Sequence, residues 1–418
     1  MEHISPRRPG EQPCGGLEKL LRVIEEAFPV PGRFRSRLPE DVAELSRLLT
    51  SGRFQRGNGY LSRPNLLSAY LRFFLPWNVF RLHRLFSFAA GNGGAASLFG
   101  LTGGGVITDI GCGPLTLPVS LWLLRPELRK LDLEFRCIDH SAPALEAGKK
   151  LLTALARTEG GITWKIRTIH DSIDAPVRGG KAAFVTAINV FNEMYRDGGP
   201  ALWAKKAAGV LERLCSAGGS ILVMEPGIPQ SGAFIAALRE VLLEKGRKIA
   251  APCIHGAPCP MPGMYGEHSR QAAEDGPPFS SRRPGRGRSK WCHFAFDTAG
   301  APAELHRLSS AAGIPKERAV FSFLLASQTG GVCPETGGRR VLVISDPFSV
   351  GKAQGRYCCS EKGLVLVTGS RGEMEAAAPG TLLEPVFKAD EMRDPKTGAI
   401  VAVMPRDDIR PVTGYSIV

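Results

Sequence analysis

The chain has 418 residues, 43% of them hydrophobic, ten cysteines and a formal net charge of +13. That is enough apolar material for a large core in two or three domains, and no stretch reaches the roughly 18 apolar residues that a membrane span needs. With no secretory leader in evidence the sequence reads as cytoplasmic, its cysteines as thiols rather than a disulfide framework, and its charge as favouring a polyanionic partner, RNA first.

The first ninety residues are expected to be helical. Residues 17–28 carry apolar side chains at helical spacing until Pro29, Pro31 and Gly32 break the run. Residues 66–88 interleave Arg72, Phe73, Phe74, Trp77, Arg81, His83 and Arg84, with an interruption at Pro76. Such a stripe suits base stacking, but an amphipathic helix with arginine stems lying along it is commoner and is expected here. Further arginines gather at Arg33, Arg35, Arg37, Arg53, Arg56 and Arg63. Residues 89–105 are small and glycine-rich, as in a linker.

The organising stretch follows, from Val106 to Pro118. Val106, Ile107 and Ile110 predict a short buried strand, Gly111 and Gly113 a tight turn, and a helix then starts near Leu115 with Pro118 in its first turn. Strand, glycine turn and helix bring backbone amides close to a nucleotide-like ligand. A dinucleotide fingerprint would place a third glycine where Thr116 stands. Asp109 at the strand end repels phosphate and attracts an ammonium group, which S-adenosylmethionine has. The next strand, 133–138, ends at Asp139, placed to accept from two ribose hydroxyls.

Strands and helices then alternate. A helix over 143–158 leads to a strand over 162–169 and Asp171. A strand over 183–188 runs into Asn189, Asn192 and Glu193, and a helix over 201–215 precedes a strand ending at Glu225, Pro226 and Gly227. Repeated β–α units predict an α/β fold with a doubly wound, mostly parallel sheet whose cleft lies at the strands' carboxyl ends. Asp109, Asp139, Asp171, Asn189 and Glu225 all fall at such ends. A helix over 302–312 and strands over 319–325 and 340–344 read as the closing part of the same sheet, the two strands forming a hairpin. Domain boundaries follow: a helical region over 1–90, an α/β domain over 91–345 with an insertion over 251–296, and a small β appendage over 346–418.

The insertion holds Cys253, His255, Cys259, Cys292 and His293, and the appendage adds Cys358 and Cys359. Three separated cysteine sites in loops point to metal ligation. The spacing is not that of a zinc ribbon, and four thiolates suit an iron–sulfur cluster or a structural zinc about equally. The two histidines leave a mixed zinc site open. Between Cys259 and Cys292 lies a basic stretch with Arg282, Arg283, Arg286, Arg288 and Lys290, an RNA-contacting arm or an unstructured insertion.

The segment from Cys253 to Pro260, the run Trp291, Cys292, His293, Phe294, the pair Phe321 and Phe323, Asn192 with Glu193, and Glu225 to Gly227 resemble the mitochondrial and bacterial Rsm-type methyltransferase-like proteins of the small ribosomal subunit. The resemblance covers roughly residues 60–370. It implies a class I S-adenosylmethionine (SAM)-dependent methyltransferase fold, work on or with small-subunit rRNA during ribosome assembly, and a four-iron–four-sulfur cluster. Matched residue by residue, Cys253, Cys259 and Cys292 become cluster ligands, and Cys358 is chosen over Cys359 as the fourth. Asp109, Gly111, Gly113, Asp139, Asp171 and Asn189 would hold the cofactor. Catalytic residues are not recognisable beyond Asn192 and Glu193, because the Asn/Asp-Pro-Pro-Tyr/Phe motif of amino-group RNA methyltransferases is absent. The expectation is a SAM-dependent rRNA methyltransferase. Its alternatives are a catalytically inactive RNA-binding assembly factor and, more weakly, a zinc-containing small-molecule methyltransferase.

Overall fold

The computed structural model describes residues 14–50, 59–90, 104–174, 179–194, 198–261, 291–328 and 339–405. The chain divides into two compact units. One comprises Met1–Ser87, Leu101–Gly180 and Phe296–Ala319, the other Phe88–Gly100, Lys181–Ala295 and Val320–Val418.

The first unit opens with helices α1 (Gly15–Ala27), α2 (Gly32–Arg35) and α3 (Leu38–Leu49). Leu17, Leu20, Leu21 and Ile24 recur on one face of α1 and are buried there. Helices α4 (Pro64–Ala69) and α5 (Leu75–Ala90) are joined by a π-helical turn, Tyr70–Phe74. Pro76 has no N–H to give and crowds the turn before it, and the widened turn absorbs that mismatch so the chain stays helical. The arginine–aromatic stripe is packed: Phe73 and Trp77 are buried, Trp77 Nε1 donates to Ser309 Oγ at 3.2 Å, and Arg72 Nε donates to Glu25 at 2.8 Å. The early arginines are largely neutralised where they stand, Arg35 by Glu25, Arg63 by Glu44 and, more loosely, Arg37 by Glu40. Arg53 and Arg56 lie outside the described residues.

Strands β1 (Gly105–Ile110), β2 (Leu133–Asp139) and β3 (Lys165–His170) then form parallel ladders in the order β3-β2-β1. Register places Asp109 beside Cys137 and Asp139 beside His170, so the acids gather at one edge. Helices α6 (Thr116–Leu124) and α7 (Ala142–Ala156) follow β1 and β2. Gly148 of α7 makes room for the turn after β1: a Cβ there would lie 2.3 Å from Leu115 Cδ1 and 2.5 Å from the Pro114 carbonyl carbon. Because the second contact is backbone, Gly148→Ala is expected to destabilise the protein by about 1–3 kcal/mol, measurable by denaturant unfolding, and to weaken any ligand held by that turn.

In the second unit β4 (Ala182–Ile188) and β5 (Cys215–Pro226) are parallel, with α8 (Gly199–Leu214) between them in sequence. Helix α9 (Pro229–Glu244) and β6 (Lys248–Ala251) lead to the insertion, after which come β7 (Phe294–Asp297), α10 (Ala303–Ala311), which belongs to the first unit, and β8 (Arg318–Ser327). The strand order is β4-β5-β8-β6, with β8 antiparallel to both neighbours. The expected hairpin of 319–325 with 340–344 does not form. The partners of β8 are β5, β6 and β7, all earlier in the chain, while β9 (Val341–Val343) belongs to a separate sheet.

That second sheet contains β9, β10 (Phe348–Val350), β11 (Ala353–Ser360), β12 (Gly363–Gly369), β13 (Leu382–Leu383), β14 (Val386–Phe387) and β15 (Ile400–Val403). Its order is β13-β9-β11-β12-β15-β14, with β10 beside β11. Helix α11 (Arg371–Ala376) adds Met374 to a core of Val341, Val343, Cys358, Val365, Val367 and Ile400. Period-two alternation explains the displacement of β9: Val341 and Val343 complete this apolar face. Among the described residues no helix is long and apolar enough to cross a membrane.

Candidate functional site

In the first unit the turn after β1 alternates left-handed residues, Gly111 at φ 61°, Gly113 at φ 54° and Leu115 at φ 55°. Glycine takes the first two at no steric cost. Asp109 is buried at the strand end, 1% exposed. Asp139 braces the turn from β2: its Oδ2 accepts from the Gly113 N–H and its Oδ1 from the Ser141 N–H, each at 2.8 Å. Ser141 in turn caps α7. The Asp171 N–H donates to the Asp139 carbonyl at 3.1 Å, and the Asp171 side chain stays exposed. Asp139 fixes the amide turn, and a carboxylate with two bonds made still has lone pairs for a hydroxyl. Cys112 and Cys137 sit beside this edge as buried thiols, their pKa values pushed up by burial.

In the second unit Asn189 follows β4 in the left-handed region at φ 57°, its N–H donating to the Met224 carbonyl at 2.7 Å. Glu225, fully buried, accepts from three successive backbone N–H groups: Val190 at 3.2 Å, Phe191 at 2.8 Å and Asn192 at 3.0 Å. Burial pushes its pKa up to about 8, against the pull of those donors and with help from neighbouring Glu193. Asn192 is buried and Glu193 half-buried in the turn that Glu225 shapes. The sequence marked Glu225 only as a strand end. An acid there, two residues before Gly227, was the available signal for a turn-holding role.

The cysteines divide by strand face. Cys358 is fully buried in the apolar core of the second sheet, opposite Val343 and Val365. Cys359 points the other way, and its Sγ lies 3.2 Å from His255 Nε2. Burial and the fields of Cys253, Cys259 and Cys292 push the Cys359 thiol far up. Cys292 feels burial, then Cys253 and Cys259, while Cys259, driven first by burial and then by Cys253, is pushed up to about 11. Cys253, Cys259, Cys292 and Cys359 thus feel one another electrostatically. Cys358, chosen from sequence for the fourth place, is turned away by the alternation of β11. All nine cysteines among the described residues are free.

Local packing sets this group. Trp291 lies against Gly232, where a Cβ would come within 2.7 Å of the indole, and its Nε1 donates to the Gly227 carbonyl at 3.1 Å. Ser322 Oγ donates to the Cys292 carbonyl at 2.7 Å. His293 stacks on Trp291 and its Nδ1 contacts the Trp291 carbonyl. Arg239 and His255 surround the loop that carries Cys253 and Cys259, and two of their buried nitrogens, Arg239 Nε and His255 Nδ1, have no hydrogen-bond partner. Among the described residues no group of three or more His, Cys, Asp or Glu is placed to hold a metal ion. The basic run 282–290 lies outside the described residues.

The half-sheet β3-β2-β1 with its glycine turn, and the half-sheet β4-β5-β8-β6 with one antiparallel strand, define a class I SAM-dependent methyltransferase fold. The family described as "Mitochondrial small ribosomal subunit Rsm22" matches residues 107–266, a span from β1 through Cys253 and Cys259. No curated protein matches the sequence. Similar solved structures include magnesium protoporphyrin IX methyltransferase from Synechocystis PCC 6803 with bound SAM, at 16% identity over 50% of this chain and 88% of that one, TM-score 0.30. A putative class I SAM-dependent methyltransferase from Listeria monocytogenes is 12% identical over 56% and 80%, TM-score 0.32. The 16S rRNA methylase RmtB is 15% identical over 54% and 81%, TM-score 0.27.

Proposed function

We propose that this chain is a SAM-binding methyltransferase-like protein that acts on or with small-subunit ribosomal RNA. The observation that carries the reading is the buried Asp109 beside a glycine turn that Asp139 holds open. SAM supplies an electrophilic methyl group when bound. Asp109 would attract its ammonium, the turn at Gly111 and Gly113 would admit its backbone side closely, and Asp139 would accept from its ribose. Asp171 and Asn189 are proposed as further cofactor contacts. Asn192 and Glu193 remain the candidates for the acceptor side, and Glu225 fixes the turn that presents them.

The RNA partner is supported by the net charge of +13 and by the description of the matching family, which makes the mitochondrial small subunit the first to test. Calorimetry with SAM is expected to show binding that Asp109→Ala weakens about tenfold or more, the worth of one charge-assisted hydrogen bond. No SAM binding by the intact protein would sink the reading. The second reading, an RNA platform without turnover, is favoured by the absence of a recognisable acceptor motif. It predicts SAM binding and rRNA binding with no methyl incorporation.

The same proposal includes a metal group on Cys253, Cys259, Cys292 and Cys359. The Cys259, Cys292 and Cys359 thiols, raised by burial and by their cysteine neighbours, are relieved when a cation binds their thiolates, and unpartnered nitrogens beside them suit sulfur acceptors. An iron–sulfur cluster is preferred over zinc, because a single zinc requires all four sulfurs within about 2.3 Å of one point. Iron, sulfide and zinc content of anaerobically purified protein tests this directly.

A further inference from the structure

Arginine is rarely buried without a task, because its charge must be compensated wherever water is excluded. Arg239, in the middle of α9, is 1% exposed. Its Nη1 pairs with Glu240 at 2.5 Å, and its Nη2 donates to two carbonyls, His255 at 2.7 Å and Ala257 at 2.8 Å. The guanidinium also hydrogen-bonds the Cys253 thiol and acts electrostatically on Cys259, Cys292 and Cys359. Glu240 completes the arrangement by accepting from the Cys259 N–H at 3.4 Å. Arg239 and Glu240 together hold the loop between the first two cysteines at both ends.

A group carried by four thiolates is anionic overall for either zinc or a four-iron cluster at its usual oxidation level. One fixed cation against it both stabilises the bound form and favours adding an electron. Hydrogen bonds to cluster sulfurs act in the same direction.

We infer that Arg239 is the positioning residue of the four-thiol site: it clasps the Cys253–Cys259 loop in ligating shape and supplies the positive charge that the bound metal group requires. This rests on the proposed assignment of the four cysteines to one metal group. His255, whose Nε2 lies 3.2 Å from Cys359 Sγ, makes a second polar contact to the group.

The test compares full-length wild type with Arg239→Met and Arg239→Lys, purified without oxygen. The readings are metal and sulfide per chain, the rate at which a chelator strips the metal, and, for iron, the midpoint potential from a visible-absorbance titration. Arg239→Met is expected to lose metal several-fold and to lower the potential of the fraction still loaded. Arg239→Lys keeps the charge without the clasp, so its stripping is faster than wild type while its potential stays near it. A merely structural arginine would alter loading but leave the potential of the loaded fraction unmoved. Wild-type retention and potential in Arg239→Met overturn the inference. Should that variant fail to fold, Arg239→Lys decides, wild-type retention there overturning the clasp. Wild-type protein without iron, sulfide or zinc would instead overturn the metal assignment itself.

Discussion

On the proposed metal assignment, Cys359→Ser is expected to empty the site, whereas Cys358→Ser is expected to leave it loaded. The two residues are adjacent, chemically identical and both buried, so composition and exposure cannot distinguish them. Strand geometry can, because side chains alternate across β11. Cys358 lies among Val343, Val365 and Met374, while Cys359 meets His255 and feels Cys253, Cys259 and Cys292. Losing one of four ligands removes a share of a binding energy that is also folding energy, so metal per chain should fall several-fold and thermal stability with it. Cys358→Ser places a hydroxyl in an apolar core, at a cost of about 1–3 kcal/mol, with metal content unchanged. Metal analysis and thermal unfolding of both variants read this out. Metal lost from Cys358→Ser and kept in Cys359→Ser would mean that β11 presents its other face to the insertion.

Removing the Glu225 carboxylate is the other severe change. Glu225→Ala leaves three buried N–H groups, those of Val190, Phe191 and Asn192, without an acceptor. Each orphaned group costs about 1–3 kcal/mol, so a total loss of about 3 kcal/mol or more is expected in denaturant unfolding. Glu225→Gln is milder, since its oxygen still serves part of the turn. The carboxyl also gives stability a pH dependence. Its folded pKa, about 8, lies above its ordinary value of 4.5. The folded state therefore holds a proton that the unfolded state has released, and this contribution is complete below about pH 4.5 and lost as pH rises through about 8. Glu225→Gln should flatten that part of the profile. An unchanged slope in the variant would assign it to another group.

What the sequence made legible was periodic or punctuated. The acids at 109, 139 and 171 stood out because β–α alternation places strand ends at regular intervals, and Gly111 with Gly113 marked the turn between β1 and α6. The cysteines at 253 and 259 stood out for another reason, their placement in a loop beside proline. Pairing across distance was less visible. Nothing in the residues 341–343 says that they join β11 rather than β8, because a three-residue apolar strand fits either sheet. Nor does the alternation of β11 say which face meets the insertion. Arg239 reads in sequence as one more basic residue on a helix, and its burial depends on a loop beginning only fourteen residues later at Cys253. The Asp139 brace depends on two backbone N–H groups, which no side-chain pattern reveals.

The contact between His255 and Cys359 spans 104 positions of chain. A ribosome making this protein therefore presents three of the four thiols well before the last, which arrives on a central strand of a sheet that closes only when β15 has been made. Long-range closure of this kind is slow and comes late in folding. The nascent chain must pass through a stage with an open three-thiol loop, and metal delivered then would meet an unfinished cradle. Timing is thus written into the topology: on the proposed metal assignment loading follows the making of β15, and fragments ending before residue 359 should emerge without metal however well their first half folds.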